Sequence, residues 1–104
     1  MNMSGANVVD GMDMGEFLKW ERKVTTYSVD QLCVVIDRDV LREGGIDRGD
    51  LVQGSLKGDG RAVPFTKRVS ITGTSRCIYI DQILAEAAGV ERGDTIEVRV
   101  RKVK

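Results

Sequence analysis

The 104-residue chain is 41% hydrophobic and 31% charged, and its formal net charge is zero. This is the composition of one soluble globular domain, and its charge balance names neither nucleic acid nor a membrane surface as partner. Two cysteines and no histidine argue against zinc, no run approaches the roughly 18 apolar residues of a membrane span, and no signal-peptide pattern opens the chain, so the expected location is cytoplasmic.

Residues 1–20 are predicted to be a flexible N-terminal arm, and residues 21–104 a single domain. Near the end of the arm, residues 16–22 suit one helical turn or the start of a strand, with Trp20 available to dock the segment. Residues 23–28 have the β-branched and aromatic enrichment of a strand, Val29-Asp30-Gln31 reads as a turn, and residues 32–36 return as a second strand. That second strand does not alternate with polar residues, so both of its faces are expected to be covered.

Asp37 is placed as a helix N-cap, its carboxylate accepting from the free N–H groups of the first turn. Val40 and Leu41 supply an apolar patch, Gly45 a left-handed stop, and Ile46 packs back in a Schellman arrangement. Asp47-Arg48-Gly49-Asp50 reads as a tight turn with Gly49 at positive φ rather than as an adhesion motif. Residues 51–56 form a third strand, residues 57–61 a turn punctuated by Asp59-Gly60, and residues 62–65 cross into the second unit, with Pro64 confined to an edge or a connection.

The pattern then recurs. Cys33/Cys77, Ile36/Ile80, Asp37/Asp81, Gly45/Gly89 and the Arg-Gly-Asp triplets at 48–50 and 92–94 coincide at an offset of 44 residues. Residues 67–72 repeat the opening strand, residues 76–80 the second strand, and residues 95–103 the closing one, with Ile96, Val98 and Val100 on one face. The two repeats, 22–60 and 61–104, are each too small to bury a core alone. The predicted fold is therefore mainly β with two short helices, a pseudo-twofold barrel built from two ββαβ repeats. Cys33 and Cys77 read as small buried hydrophobes, with a disulfide across the pseudo-twofold as the alternative. The last six residues hold four cations and no acid, which suits either a guarded strand edge or a phosphate-contacting strip.

The string Val34-Val35-Ile36, then Asp37, Leu41-Arg42, Gly45-Ile46 and Gly49-Asp50 resembles the AbrB/SpoVT swapped-hairpin family. The likeness covers about residues 23–56 and, more weakly, 67–100. It implies a swapped-hairpin or cradle-loop (double-psi-like) barrel, here with two units fused in one chain as a pseudo-dimer. It also implies a transcription regulator that binds DNA through basic side chains. Carried over by position, Arg22 and Lys23 match the basic pair before the first strand and Arg42 the helix arginine. Arg38 lies nearby, Lys67 and Arg68 occupy the second opening strand, and Arg76 falls one place before the family's hairpin arginine. The family's glycine-arginine is Leu32-Cys33 in this chain and its proline is Asp37, or Asp81 in the second copy.

Two functions follow as expectations. One is regulation through double-stranded DNA, with Arg22, Lys23, Arg38, Arg42, Lys67, Arg68 and Arg76 on a pseudo-symmetric basic face. The other is a non-catalytic protein-interaction or oligomerisation barrel without nucleic acid, favoured by the neutral charge and the acidic helix starts. No nucleophile–base pair is recognisable, so neither catalysis nor a cofactor is expected. Either way the chain is expected as a monomeric pseudo-dimer or a homodimer, away from membranes.

Overall fold

The computed structural model describes residues 17–58 and 60–103. Eight strands and two helices follow in the order β1 (Leu18–Lys23), β2 (Thr25–Ser28), β3 (Gln31–Val35), α1 (Arg38–Gly44), β4 (Leu51–Lys57), β5 (Ala62–Arg68), β6 (Ser70–Thr72), β7 (Ser75–Ile80), α2 (Gln82–Ala88) and β8 (Thr95–Lys102). They form two four-stranded antiparallel sheets, one ordered β1-β8-β4-β5 and the other β2-β3-β7-β6. One of the two is a half-barrel, and the whole is a small β-barrel fold with two short helices.

Both sheets read the same from either end once each strand is exchanged for its counterpart in the other half of the chain. In the β3–β7 pair Val34 faces Ile78, and in the β4–β8 pair Ser55 faces Arg99, each residue meeting the position 44 places on. The two halves are interlaced. β1 pairs with β8 and β5 with β4, so each opening strand lies on a closing strand from the other half.

The opening strands are displaced by 45 residues rather than the expected 44. Thr25 faces Cys33 while Ser70 faces Cys77, and a bulge between Thr26 and Ser28 absorbs the extra residue of the first hairpin. Each predicted opening strand is also broken, by Val24 and by Val69, into two strands that serve different sheets. The Arg-Gly-Asp turns hold these breaks. Val24 N–H donates to Asp94 O at 2.8 Å and Gly93 N–H to Val24 O at 2.9 Å, while Val69 and Gly49-Asp50 repeat both bonds at 2.9 Å. Gly49 and Gly93 sit at φ 85° and 95°, where a Cβ would be strained, so the triplets are structural.

The domain begins before residue 21. Leu18, Lys19 and Trp20 belong to β1, and Trp20 is buried with its indole N–H donating to Val35 O at 3.0 Å. Its counterpart, Phe65, lies in β5, an edge strand, which is the edge alternative of the two places the sequence left for Pro64. Asp59 lies outside the described residues, as does the arm up to residue 16. The basic end of the chain guards no edge, because β8 runs between β1 and β4. Lys104 lies outside the described residues, and the described cations there are held locally: Arg99 by Glu97 at 3.2 Å, Arg101 by the Gln53 side chain at 2.9 Å and Lys102 by Asp50 at 3.3 Å.

One apolar core joins the halves. Val34, Val52, Leu56, Ile78, Val98 and Val100 have no exposed surface, and no polar or charged residue is buried among the described residues. Cys33 is as buried as Val34, so both faces of β3 are covered as its unalternating sequence predicts. Each helix lays one small face on an opening strand, α1 on β1 through Val40 and α2 on β5 through Leu84 and Ala88. Gly45 and Gly89 end them at φ 61° and 66° with the expected Schellman bonds, Ile46 N–H to Leu41 O and Val90 N–H to Ala85 O, both at 2.9 Å.

Candidate functional site

A cleft of about 730 Å3 opens beside α1, between the end of β1 and the β6–β7 turn. Val35, Ile36, Leu41 and Ile46 supply its apolar lining. Four of the seven cations singled out from sequence, Arg22, Arg38, Arg42 and Arg76, line it together. Three aspartates line it as well, and each holds one arginine. Arg22 Nη1 lies 2.8 Å from Asp37 Oδ1, Arg42 Nη2 is 2.6 Å from Asp39 Oδ1, and Arg76 Nε is 2.8 Å from Asp47 Oδ1. Arg38 lines the cleft with no ion-pair partner among the described residues.

Local chemistry fixes these positions. Asp37 is extended at the N-cap of α1, but its carboxylate makes no cap hydrogen bond, contrary to the sequence expectation. Arg22, arriving on β1, takes that carboxylate instead. Asp47 opens the turn after α1: its N–H donates to Asp50 Oδ2 at 2.8 Å, and its own Oδ1 accepts from Arg48 N–H at 2.7 Å. The Arg76 guanidinium, with that backbone N–H, holds the Asp47 carboxyl below its ordinary range.

Lys23, Lys67 and Arg68 lie outside this cleft. Lys23 is exposed on β1 opposite Thr95. Arg68 Nη1 donates to Gly49 O at 3.0 Å, bracing the turn. Lys67 meets Asp81 at the start of α2 and stands 5.5 Å from the centre of the Tyr79 ring, which in turn lies 5.8 Å from that of Tyr27. Asp81 also accepts from Leu84 N–H at 2.8 Å, a true cap. Lys67 first and that N–H second hold its carboxyl below the usual range. Lys67–Asp81 is the counterpart of Arg22–Asp37.

The remaining cations of the cleft have no counterpart. Positions 44 places from Arg38 and Arg42 are Gln82 and Glu86, and the position matching Arg76 is Leu32. Gln82 Nε2 donates to Glu86 Oε2 at 3.1 Å. On α2 itself Ile83 is 81% exposed, and Val29, in the β2–β3 turn, is 93% exposed. The seven cations therefore form no pseudo-symmetric face, because the positions corresponding to Arg38, Arg42 and Arg76 carry an amide, an acid and an apolar side chain. The three aspartates were missed as site residues. Asp39–Arg42 was readable as an i,i+3 pair, whereas Asp47 and Arg76 are 29 residues apart and left no local signal.

Cys33 and Cys77 are free thiols, fully buried and close enough to interact across β3 and β7, with no disulfide between them. Burial raises both, Cys77 to about 12, so neither is a ready nucleophile. No group of three or more metal-ligating side chains occurs among the described residues. None of their helices is long and apolar enough to cross a membrane.

No family model and no curated protein matches the sequence. The fold is shared. The solution structure of PHS018 from Pyrococcus horikoshii superposes with a TM-score of 0.58 at 24% identity, over 83% of this chain and 94% of that one.

Proposed function

We propose that this chain is a non-catalytic protein-interaction module whose contact surface is the cleft beside α1. The observation that carries this reading is the matching of three of the four cleft arginines by aspartates within the same cleft. Duplex DNA presents about one negative charge per 1.7 Å and is bound by cations free to replace its counterions. Three carboxylates in the groove would repel such a ligand at short range. A surface that offers guanidinium donors and carboxylate acceptors side by side suits another protein, and arginine is enriched at such interfaces. The pairing of each opening strand with the other half's closing strand supports a fused swapped-hairpin arrangement as the frame beneath it.

The competing regulator reading needs Arg22, Lys23, Lys67, Arg68 and Arg76 available to phosphates, yet four of these five are engaged within the protein. Anisotropy titration with a random-sequence duplex at low salt separates the two. The expected result is no saturable binding. Binding whose log K falls against log salt with a slope of about −0.9 per phosphate would overturn the proposal in favour of DNA.

A further inference from the structure

We propose that the cleft beside α1 is occupied within the same molecule by the segment ahead of β1, residues 8–16, which an outside partner must displace. This rests on the interaction-module reading and adds the regulation of that site. Two features of the lining ask for a matching occupant. Val35, Ile36, Leu41 and Ile46 offer apolar surface, and Arg38 is a guanidinium with no ion-pair partner among the described residues. Four arginines against three aspartates leave one positive charge over. The occupant therefore brings aliphatic side chains and at least one carboxylate close together in sequence.

Residues 8–16, Val-Val-Asp-Gly-Met-Asp-Met-Gly-Glu, have that composition. Val8, Val9, Met12 and Met14 are interspersed with Asp10, Asp13 and Glu16, and no cation interrupts them. Methionine, unbranched and polarizable, adapts to an irregular apolar lining. Position supplies the second argument. The Leu18 and Ile46 side chains meet over Gly44, where a Cβ would lie 2.9 Å from the Cδ1 of each, so β1 begins against the cleft's own Ile46 wall. One residue earlier, the Phe17 ring centre lies 5.1 Å from the Arg101 guanidinium, a contact that fixes the point of departure. From there the chain back to Asp10 reaches at most about 25 Å, while α1 is only about 10 Å long, so the segment spans the cleft from Ile46 to Arg38. So short a tether gives a millimolar effective concentration, and an intrinsic affinity of about 1 mM fills the cleft roughly half the time. A free partner needs tighter contacts or a comparable concentration to displace it.

A nitroxide attached at Asn7→Cys in the full chain, read through the backbone amides by NMR, tests this, since Cys33 and Cys77 are fully buried and stay unreacted. The amides of Arg38, Leu41 and Asp47 should broaden, and their counterparts at Gln82, Ala85 and Glu91 should not. Arg38→Glu, at an exposed position, should weaken the contact about threefold, the scale of one exposed ion pair, with unchanged circular dichroism. Val9→Ser should weaken it as well while leaving every residue of the domain in place. Nitroxide-bearing chain mixed with isotope-labelled chain that lacks the nitroxide should broaden nothing, because the contact is within one molecule. Equal broadening around both helices, none at the cleft, broadening that survives both substitutions, or broadening in the mixed sample would each overturn the proposal. If the segment misses the cleft and random duplex DNA leaves the cleft amides unshifted, only the docking of the segment falls. Duplex DNA that shifts those amides takes the interaction-module reading down as well.

Discussion

The two helix starts of this molecule share a backbone and differ in what their aspartates do. Asp81 caps α2 through Leu84 N–H and also holds Lys67, whereas Asp37 leaves the N–H groups of α1 uncapped and gives its carboxylate to Arg22. Around them the turn glycines, the Schellman stops and the buried strand positions agree, while Arg38, Arg42 and Arg76 face Gln82, Glu86 and Leu32 at corresponding places. Positions that close the barrel are thus held alike in both halves because each half is the lid of the other. Positions that face water answer to no such demand, and there Arg38, Arg42 and Arg76 have no basic counterparts.

The sharpest break in the likeness lies inside the sheet, where Gly54 corresponds to the fully buried Val98. A Cβ on Gly54 would meet the Arg99 carbonyl oxygen at 1.6 Å, a contact with backbone that no rotamer can relieve. Gly54→Ala, the smallest step toward the valine of the other half, is expected to cost at least about 3 kcal/mol and to leave the chain unfolded or nearly so. Thermal unfolding followed by circular dichroism checks it, and a wild-type midpoint would mean that the two strands are interchangeable after all.

The next test asks whether the halves can come apart. Ile78 packs opposite its own counterpart Val34 at the centre of the β3–β7 pair, and Ile78→Ala is expected to cost about 2–5 kcal/mol. Trp20, the sole tryptophan, sits in the first half and reports on it by fluorescence. If the core is shared, a truncation in the second half should move the tryptophan transition and the circular-dichroism transition by the same denaturant increment. A tryptophan transition that stays in place while the other shifts would show the halves folding separately.

Most of this frame was legible in the sequence for a physical reason: buried strands, left-handed stops and tight turns each demand a narrow set of residues, and Val34-Val35-Ile36, Gly45 and Gly49-Asp50 announce them locally. Strand partners were less legible. Val24 looks like the middle of a strand, and only the distant carbonyl of Asp94 and N–H of Gly93 turn it into a break between two sheets. Trp20 fell in the expected arm because its partner, Val35 O, is 15 residues away. The site was legible as a group of cations but not as a cleft. Arg22–Asp37 and Arg76–Asp47 are long-range pairs, and reading Asp37 as a cap hid its role as a counter-ion.

The smallest effect bears most directly on the two helix starts. Replacing Asp81 by Ala removes a made cap and is expected to cost ~1 kcal/mol. Replacing Asp37 by Ala removes only a half-exposed ion pair, for which about 0–1 kcal/mol is usual. The pH dependence separates these causes. Lys67 and Leu84 N–H lower the folded Asp81 carboxyl, so its contribution is present above the unfolded aspartate value of about 3.9 and is lost as pH falls through the lower folded value. The stability gap between wild type and Asp81→Ala, measured by urea unfolding, should therefore be full near neutrality and narrow steadily under acid. Equal gaps for the two alanine variants at neutral pH would show that the cap adds nothing to the pairing with Lys67, and the two helix starts would then differ in geometry without differing in energy.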